Sequence, residues 1–256
     1  MKKILTLALA ALAAPAIAAG DVLVFSTDGS YPPFSETGSD GKMTGFDIDI
    51  GLALCAQMKR ECRYEQLDWE GLIPALKTHK IDAIVASMND TPERRESISF
   101  TDPYYSNPGI FVRAKGSSVE PTPEGVKGKT IGVQRATIFD NYVTDKFPDA
   151  HIQRYTSIEE ANLDAVAGRL DLIFADKFVM QDGFLQRDEG KDFEQAGADV
   201  NDKKYFGDGI SIAVRKDDDK LREDLNAALK AIKANGEYKK VNDKYFKYDI
   251  SSGTAK

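Results

Sequence analysis

Arg94 stands in the first turn of a short helix start, where a cation opposes the helix dipole and calls for an anion beside it. The stretch around it, KIDAIVASMNDTPERR (Lys80 to Arg95), reads as a buried strand from Ile81 to Val85, a polar turn of Ser87, Met88, Asn89 and Asp90, and then a helix. Thr91 stands at the N-cap position, and Pro92 suits the first helical position, where its missing N–H costs nothing. Helix-start amides, their dipole and a guanidinium at one strand end form a carboxylate receptor. Open α/β sheets take ligands beyond the carboxyl ends of their strands. The chain puts there Asp28 and Tyr31, Ser87 to Arg94, Gln134 to Thr137, and Asp176. A zwitterion with an additional cation matches this set: Arg94 and backbone amides for its carboxylate, Asp176 for its α-ammonium, Asp28 for the distal charge. Plainer roles stand beside these. Arg94 also fits a charged surface run with Glu93, Arg95 and Glu96. Asp28 and Asp176 fit turn caps, Tyr31 and Trp69 fit core aromatics, and Asp47 fits a helix cap with at most a secondary electrostatic role.

Catalysis has no comparable carrier. The sequence lacks G-x-S-x-G, HExxH and a P-loop, and neither His79 nor His151 sits in a polar loop at a strand end. A binder is expected rather than an enzyme, without a cofactor. A metal site is not expected either, because two cysteines and two distant histidines lack ligand spacing. The formal charge of −7 argues against nucleic acid or an anionic membrane as partner.

The elements that must hold these groups alternate. Val22 to Thr27 is a strand ending in the loop Asp28 to Phe34, and Gly41 to Gly45 is a turn. Phe46 to Lys59 is a helix with Phe46, Ile50, Ala53, Leu54 and Met58 on one face. Arg63 to Leu67 is a strand, and Asp68 opens a helix that turns Leu72, Ile73 and Leu76 inward. The aromatic, proline-bearing run FTDPYYSNPGIF (Phe100 to Phe111) breaks the rhythm and suits a crossing between lobes. After a loop from Gly116 to Gly128, the alternation restarts. Strands follow at Thr130 to Val133, His151 to Tyr155 and Leu170 to Ala175, with helices at Thr137 to Lys146 and from the capping box Ser157–Glu160 to Gly168. A strand at Ile210 to Val214 carries the chain back, Leu221 to Asn235 is a helix, and Tyr238, Val241 and Tyr245 indicate another. PALKTHKIDAIVASMND (Pro74 to Asp90) and DAVAGRLDLIFADKF (Asp164 to Phe178) share a helix-end, basic, apolar-Asp-apolar, polar-turn plan. The fold class is therefore α/β, with βαβ units around largely parallel sheets, and two lobes of similar build would explain the echo.

Residues 1–19 read as a secretory signal: Lys2 and Lys3, an apolar run from Ile4 to Ile17, and the small-x-small site Ala16-Ile17-Ala18. Its removal leaves a formal charge of −9. No cysteine stands at the cleavage site, so no lipid anchor is expected. In an oxidising compartment Cys55 and Cys62 can form one local disulfide, with two free buried thiols as the alternative.

Together TDGSYPPF (Thr27 to Phe34), GFDIDIG (Gly45 to Gly51), the Cys55/Cys62 spacing, LIPALK, KIDAIVASM with TPERR, FTDPYY, AGRLD and KKYFGDGI are specific. The chain resembles the type-3 periplasmic solute-binding proteins of ABC transporters, in particular the lysine/arginine/ornithine and histidine receptors. The resemblance implies a two-lobed type II periplasmic binding fold, each lobe a mainly parallel sheet flanked by helices. Lobe 1 would hold residues 20–106 and 209–256 and lobe 2 residues 107–208, with hinges at about 106–110 and 201–209. It further implies a monomeric periplasmic receptor that closes over one amino acid and presents it to an inner-membrane permease. By position, Arg94 and the amides near Asn89 and Thr137–Ile138 would take the α-carboxylate, and Ser87 and Asp176 the α-ammonium. Tyr31 and Trp69 would sandwich the aliphatic stem, and Asp28 would take a distal cation. Asp47, Gln134 and Phe139 would play secondary parts. The chain departs from the family pattern at Ala86 and Asn89, where serines are usual. It departs again at Arg135, Ala136, Ile138 and Phe139, where a small polar run is usual. Rival readings are a receptor for another polar amino acid or an opine-type derivative, and a dehydratase-like enzyme on the same scaffold.

Overall fold

The computed structural model describes residues 22–251, so the signal segment and the last residues of the tail lie outside the described residues. In chain order the first part holds β1 (Leu23–Thr27), β2 (Ser30–Tyr31), β3 (Ser35–Thr37), β4 (Met43–Thr44), α1 (Phe46–Met58), β5 (Cys62–Gln66), α2 (Trp69–Lys77), β6 (Ala83–Ile84), α3 (Pro92–Arg95) and β7 (Ile98–Phe100). The middle holds β8 (Gly109–Ala114), β9 (Thr130–Gln134), α4 (Ile138–Lys146), β10 (His151–Tyr155), α5 (Ile158–Val166), β11 (Leu172–Asp176), α6 (Lys177–Met180), β12 (Phe193–Val200) and α7 (Lys203–Phe206). The return is β13 (Ala213–Arg215), α8 (Asp219–Ala234) and α9 (Glu237–Tyr245).

Two five-stranded sheets result, ordered β5-β1-β6-β13-β7 and β10-β9-β11-β8-β12. The strands of the repeated apolar-Asp-apolar plan, β6 and β11, hold the same third place in their sheets, so the weak internal echo reflects two lobes of one build. Each sheet is mixed. The first three strands run parallel, and β13 with β7, or β8 with β12, pair antiparallel. The antiparallel pairs flank the two crossings between sheets, β7 to β8 and β12 to β13. There Ile210 accepts from Tyr104 N at 3.0 Å and donates to Tyr105 O at 2.9 Å. Sequence periodicity leaves β8 and β12 unmarked, because neither run alternates cleanly. It also reads β2 to β4, a three-stranded sheet of very short strands, as loop and turn.

The amphipathic helices cover the sheets as their apolar spacing requires. Phe46 at the start of α1 is fully buried among Phe34, Tyr104, Tyr105, Tyr238, Tyr245 and Phe246. Burying such a ring contributes about 1.5–3 kcal/mol. Leu225, Ala228, Leu229 and Ile232 of α8 are buried, and Gly236 beyond it is left-handed at φ 85. Cys55 and Cys62 are disulfide-bonded, which ties the end of α1 to the start of β5 with Cα atoms 6.1 Å apart.

Candidate functional site

The strand ends of the two sheets face each other across a small, tightly closed cavity of about 20 Å³. From the first lobe Asp28, Tyr31, Trp69, Ser87, Asn89 and Arg94 line it, together with Ala86; from the second come Gln134, Thr137, Ile138, Phe139 and Asp176.

Local chemistry sets the first wall. Thr91 caps α3, its hydroxyl accepting from Arg94 N at 3.3 Å with Pro92 behind it. The Arg94 side chain turns inward: it donates to Asn89 O at 2.9 Å and its guanidinium lies 5.2 Å from the Trp69 ring centroid. Burial lowers its pKa to about 10, which leaves it a cation at neutral pH. The surface role belongs to Arg95, which pairs with Asp90. Ser87 adopts left-handed backbone at φ 51, a disfavoured conformation that its neighbours must hold.

Asp47 holds it, which corrects the helix-cap reading of that residue. Gly45 occupies the N-cap position of α1, and Asp47 turns instead into the core. Its Oδ2 accepts from Ser87 N at 2.6 Å and Ser87 Oγ at 2.9 Å, and its Oδ1 accepts from Tyr104 at 2.6 Å. Asp47 stands outside the cavity wall. Burial raises its pKa to about 7 in spite of these bonds. Asp68 likewise stands at an N-cap position, that of α2, without a side-chain capping bond.

Asp28 and Asp176 are buried and far less satisfied. Asp28 receives only long bonds, from Ser35 Oγ at 3.3 Å and from Ser30 N and Gln134 Nε2 at 3.4 Å. Burial raises its pKa. Asp176 Oδ2 accepts from the Tyr31 hydroxyl at 2.5 Å, while its Oδ1 is buried with no hydrogen-bond partner among the described residues. Burial raises its pKa to about 7, and the Arg94 charge opposes the rise. Burial raises the Tyr31 pKa well above its ordinary value, and the charges of both Asp176 and Asp28 add to the rise. The lining thus gathers two buried carboxylates and one guanidinium around a single cavity, with Tyr31 bonded to Asp176.

Several side chains are committed to protein partners. Thr137 caps α4, accepting from Asp140 N at 3.3 Å and donating to Gln134 O at 2.7 Å. Asn89 Nδ2 donates to Phe206 O at 3.0 Å, and Gln134 also donates to Thr156 O at 3.1 Å. Phe139 packs edge-on against Phe174 and Phe206, so with Ile138 it makes an apolar wall. The sequence marks Ala86 only as a departure from the family's usual serine, and Asp47 only as a secondary group, without its hold on Ser87. The signal for Ala86 was its place directly after the buried strand.

Residues 23–248 match the family model of bacterial extracellular solute-binding proteins, family 3. The L-arginine-binding protein of Pseudomonas aeruginosa is 46% identical over 246 residues, covering 95% of each chain. The lysine/arginine/ornithine-binding periplasmic protein of Escherichia coli is 38% identical over 226 residues, 88% of this chain and 87% of that one. A Salmonella typhimurium periplasmic binding protein described for its high arginine specificity superposes with a TM-score of 0.81 at 34% identity, covering 88% of this chain and 99% of that one. With a match spanning nearly all the described residues and two carboxylate-bearing strand ends facing one cavity, the chain belongs to the family 3 bacterial extracellular solute-binding proteins.

Proposed function

We propose that this protein is the periplasmic substrate-binding component of an ABC importer. It takes a cationic amino acid by closing its two lobes and hands it, as a monomer, to an inner-membrane permease. The observation that carries the reading is the charge set of the cavity. One guanidinium, one half-satisfied carboxylate and a second, poorly satisfied carboxylate line the same cavity. Arginine, lysine and ornithine complement it with one carboxylate and two cations. In this reading Arg94 takes the α-carboxylate, Asp176 Oδ1 and Ser87 the α-ammonium, Tyr31 and Trp69 the stem, and Asp28 the distal cation. Each charge-assisted bond contributes about 1.5–3 kcal/mol. The arginine and lysine/arginine/ornithine names of the relatives point the same way.

Lobe 1 (residues 20–106 and 209–256) and lobe 2 (107–208) then rotate about the crossings near 106–110 and 201–209. Only the closed arrangement brings Asp28 and Arg94 together with Asp176, so the ligand's differential affinity drives closure. Isothermal titration with arginine, lysine, ornithine, histidine, glutamine and an opine tests the proposal. Micromolar or tighter binding of a cationic member is expected, and no such binding to any of them would sink it.

A further inference from the structure

At the rim of the cavity the lobes touch through Trp69, which lines it, and through Glu70 and Arg135, which do not. Trp69 and Glu70 at the start of α2 meet the turn between β9 and α4. The Trp69 indole N–H donates to Ala136 O at 2.9 Å, and Arg135 Nε donates to Glu70 Oε2. Ala136 is left-handed at φ 57, a conformation that a residue with a Cβ rarely adopts unless its surroundings fix it. A third contact on α4, Asn141 Nδ2 to Glu93 Oε2 at 3.5 Å, joins the same two walls. Neither Arg135 nor Glu70 lines the cavity. The Tyr31–Asp176 bond differs in kind, because both of its partners lie in the cavity wall.

We propose that Arg135 and Glu70 form a clasp across the cleft that stabilises the closed lobes and lengthens the stay of a ligand they never touch. The inference rests on the lobe-closing receptor reading above. The pair exists only when the lobes are together, so whatever it contributes is added to the closed state alone. By linkage that factor appears in the closed population of the ligand-free protein and in the apparent affinity. A ligand enclosed by both lobes leaves after they part, so the factor also appears in the dissociation rate. Arg135 and Glu70 side chains are 42% and 48% exposed, which keeps the effect to about two- to fivefold and makes it sensitive to salt. Arg135 is thus a positioning residue, acting through the geometry of closure.

The test uses Arg135→Ala, Glu70→Ala, the double variant, and the charge swap Arg135→Glu with Glu70→Arg. Nitroxides at Leu52→Cys on α1 and Leu163→Cys on α5, both exposed, report the distance between lobes in ligand-free protein. Stopped flow reports arginine release at low and high salt. Each single variant is expected to speed release about two- to fivefold and to lower the closed fraction similarly. The double variant should do no more than either single, the swap should restore the parent, and high salt should erase the difference. Additive single effects, no rescue by the swap, or unchanged release and lobe distance would each overturn the clasp. If arginine binds no version of the protein, release is measured with whichever of the six ligands binds; if none does, the receptor reading fails and the lobe distances alone decide the clasp. A closed fraction that falls in the single variants and recovers in the swap then supports it, and an unchanged fraction overturns it.

Discussion

Replacing Asp28 with asparagine separates recognition of a distal cation from the shape of the pocket. The carboxylate is buried, its pKa is raised by desolvation, and its three hydrogen bonds lie at 3.3 to 3.4 Å, the long end of the useful range. Its charge is therefore poorly compensated until a cation arrives. Asparagine keeps the volume and one acceptor oxygen, so the cavity should keep its form. What is lost is a charge-assisted bond of about 1.5–3 kcal/mol, or about ten- to a hundredfold in affinity for arginine. Glutamine offers no distal cation and should lose about two- to tenfold at most, the scale of a single neutral hydrogen bond. The same substitution removes an under-solvated charge from the folded protein. Asp28→Asn should therefore melt at or above the parent temperature without ligand, while the shift produced by arginine shrinks. Calorimetric titration with both amino acids and a thermal melt with and without arginine give all four numbers. Equal losses for arginine and glutamine would refute the argument, as would an unchanged arginine affinity, because either would mean that Asp28 acts on the pocket's shape or not at all.

If Arg94 takes the α-carboxylate as proposed, Arg94→Ala should weaken every amino acid by about a hundredfold or more and leave Asp176 unbalanced, while circular dichroism stays that of the parent. Asp47→Ala should instead cost about 2–4 kcal/mol in urea unfolding, because the Ser87 N–H, the Ser87 hydroxyl and the Tyr104 hydroxyl lose one shared acceptor. The pH dependence has a definite sign. Asp47 and Asp176 have folded pKa values raised to about 7, so their contribution to stability is fully present below the ordinary carboxylate range and is lost as pH rises through 7. Ligand-free protein should accordingly melt higher near pH 5 than near pH 8, and arginine, by neutralising Asp176, should narrow the gap. Arginine affinity should run the other way, rising about tenfold from pH 6 to pH 8 as Asp176 ionises, with proton release visible in buffers of different ionisation enthalpy.

What the sequence makes legible is what short-range chemistry decides. The Thr91-Pro92 start of α3 and the inward Arg94 follow from capping rules within a few residues, and Asp28 and Asp176 are visible because each directly follows or closes an apolar strand. The two-lobe plan shows as an echo because β6 and β11 fill the same place in equivalent sheets. What stays hidden is fixed by partners far along the chain. Asp47 meets Ser87 across 40 residues, the Trp69 indole meets Ala136 across 67, and the Asn89 side chain is taken by Phe206 across 117. The β8–β12 pair is hidden for the same reason. Its strands are joined only when the outward and return crossings lie side by side, and neither carries a period that announces a partner.

The three buried aspartates show how one residue type divides into scaffold and site. Asp47 has strong bonds on both oxygens, so nothing further can be gained there by a ligand, and its free energy goes into holding Ser87 in a disfavoured backbone state. Among the described residues Asp176 keeps one oxygen without a partner, and Asp28 keeps only long contacts. A buried polar atom left unsatisfied costs about 1–3 kcal/mol, and a buried charge more. A fold that tolerates two such groups facing one cavity has its electrostatic cost where a diamino acid can remove it. Asp28→Asn and Asp47→Ala must therefore move in opposite directions, the first losing ligand and not stability, the second losing stability first.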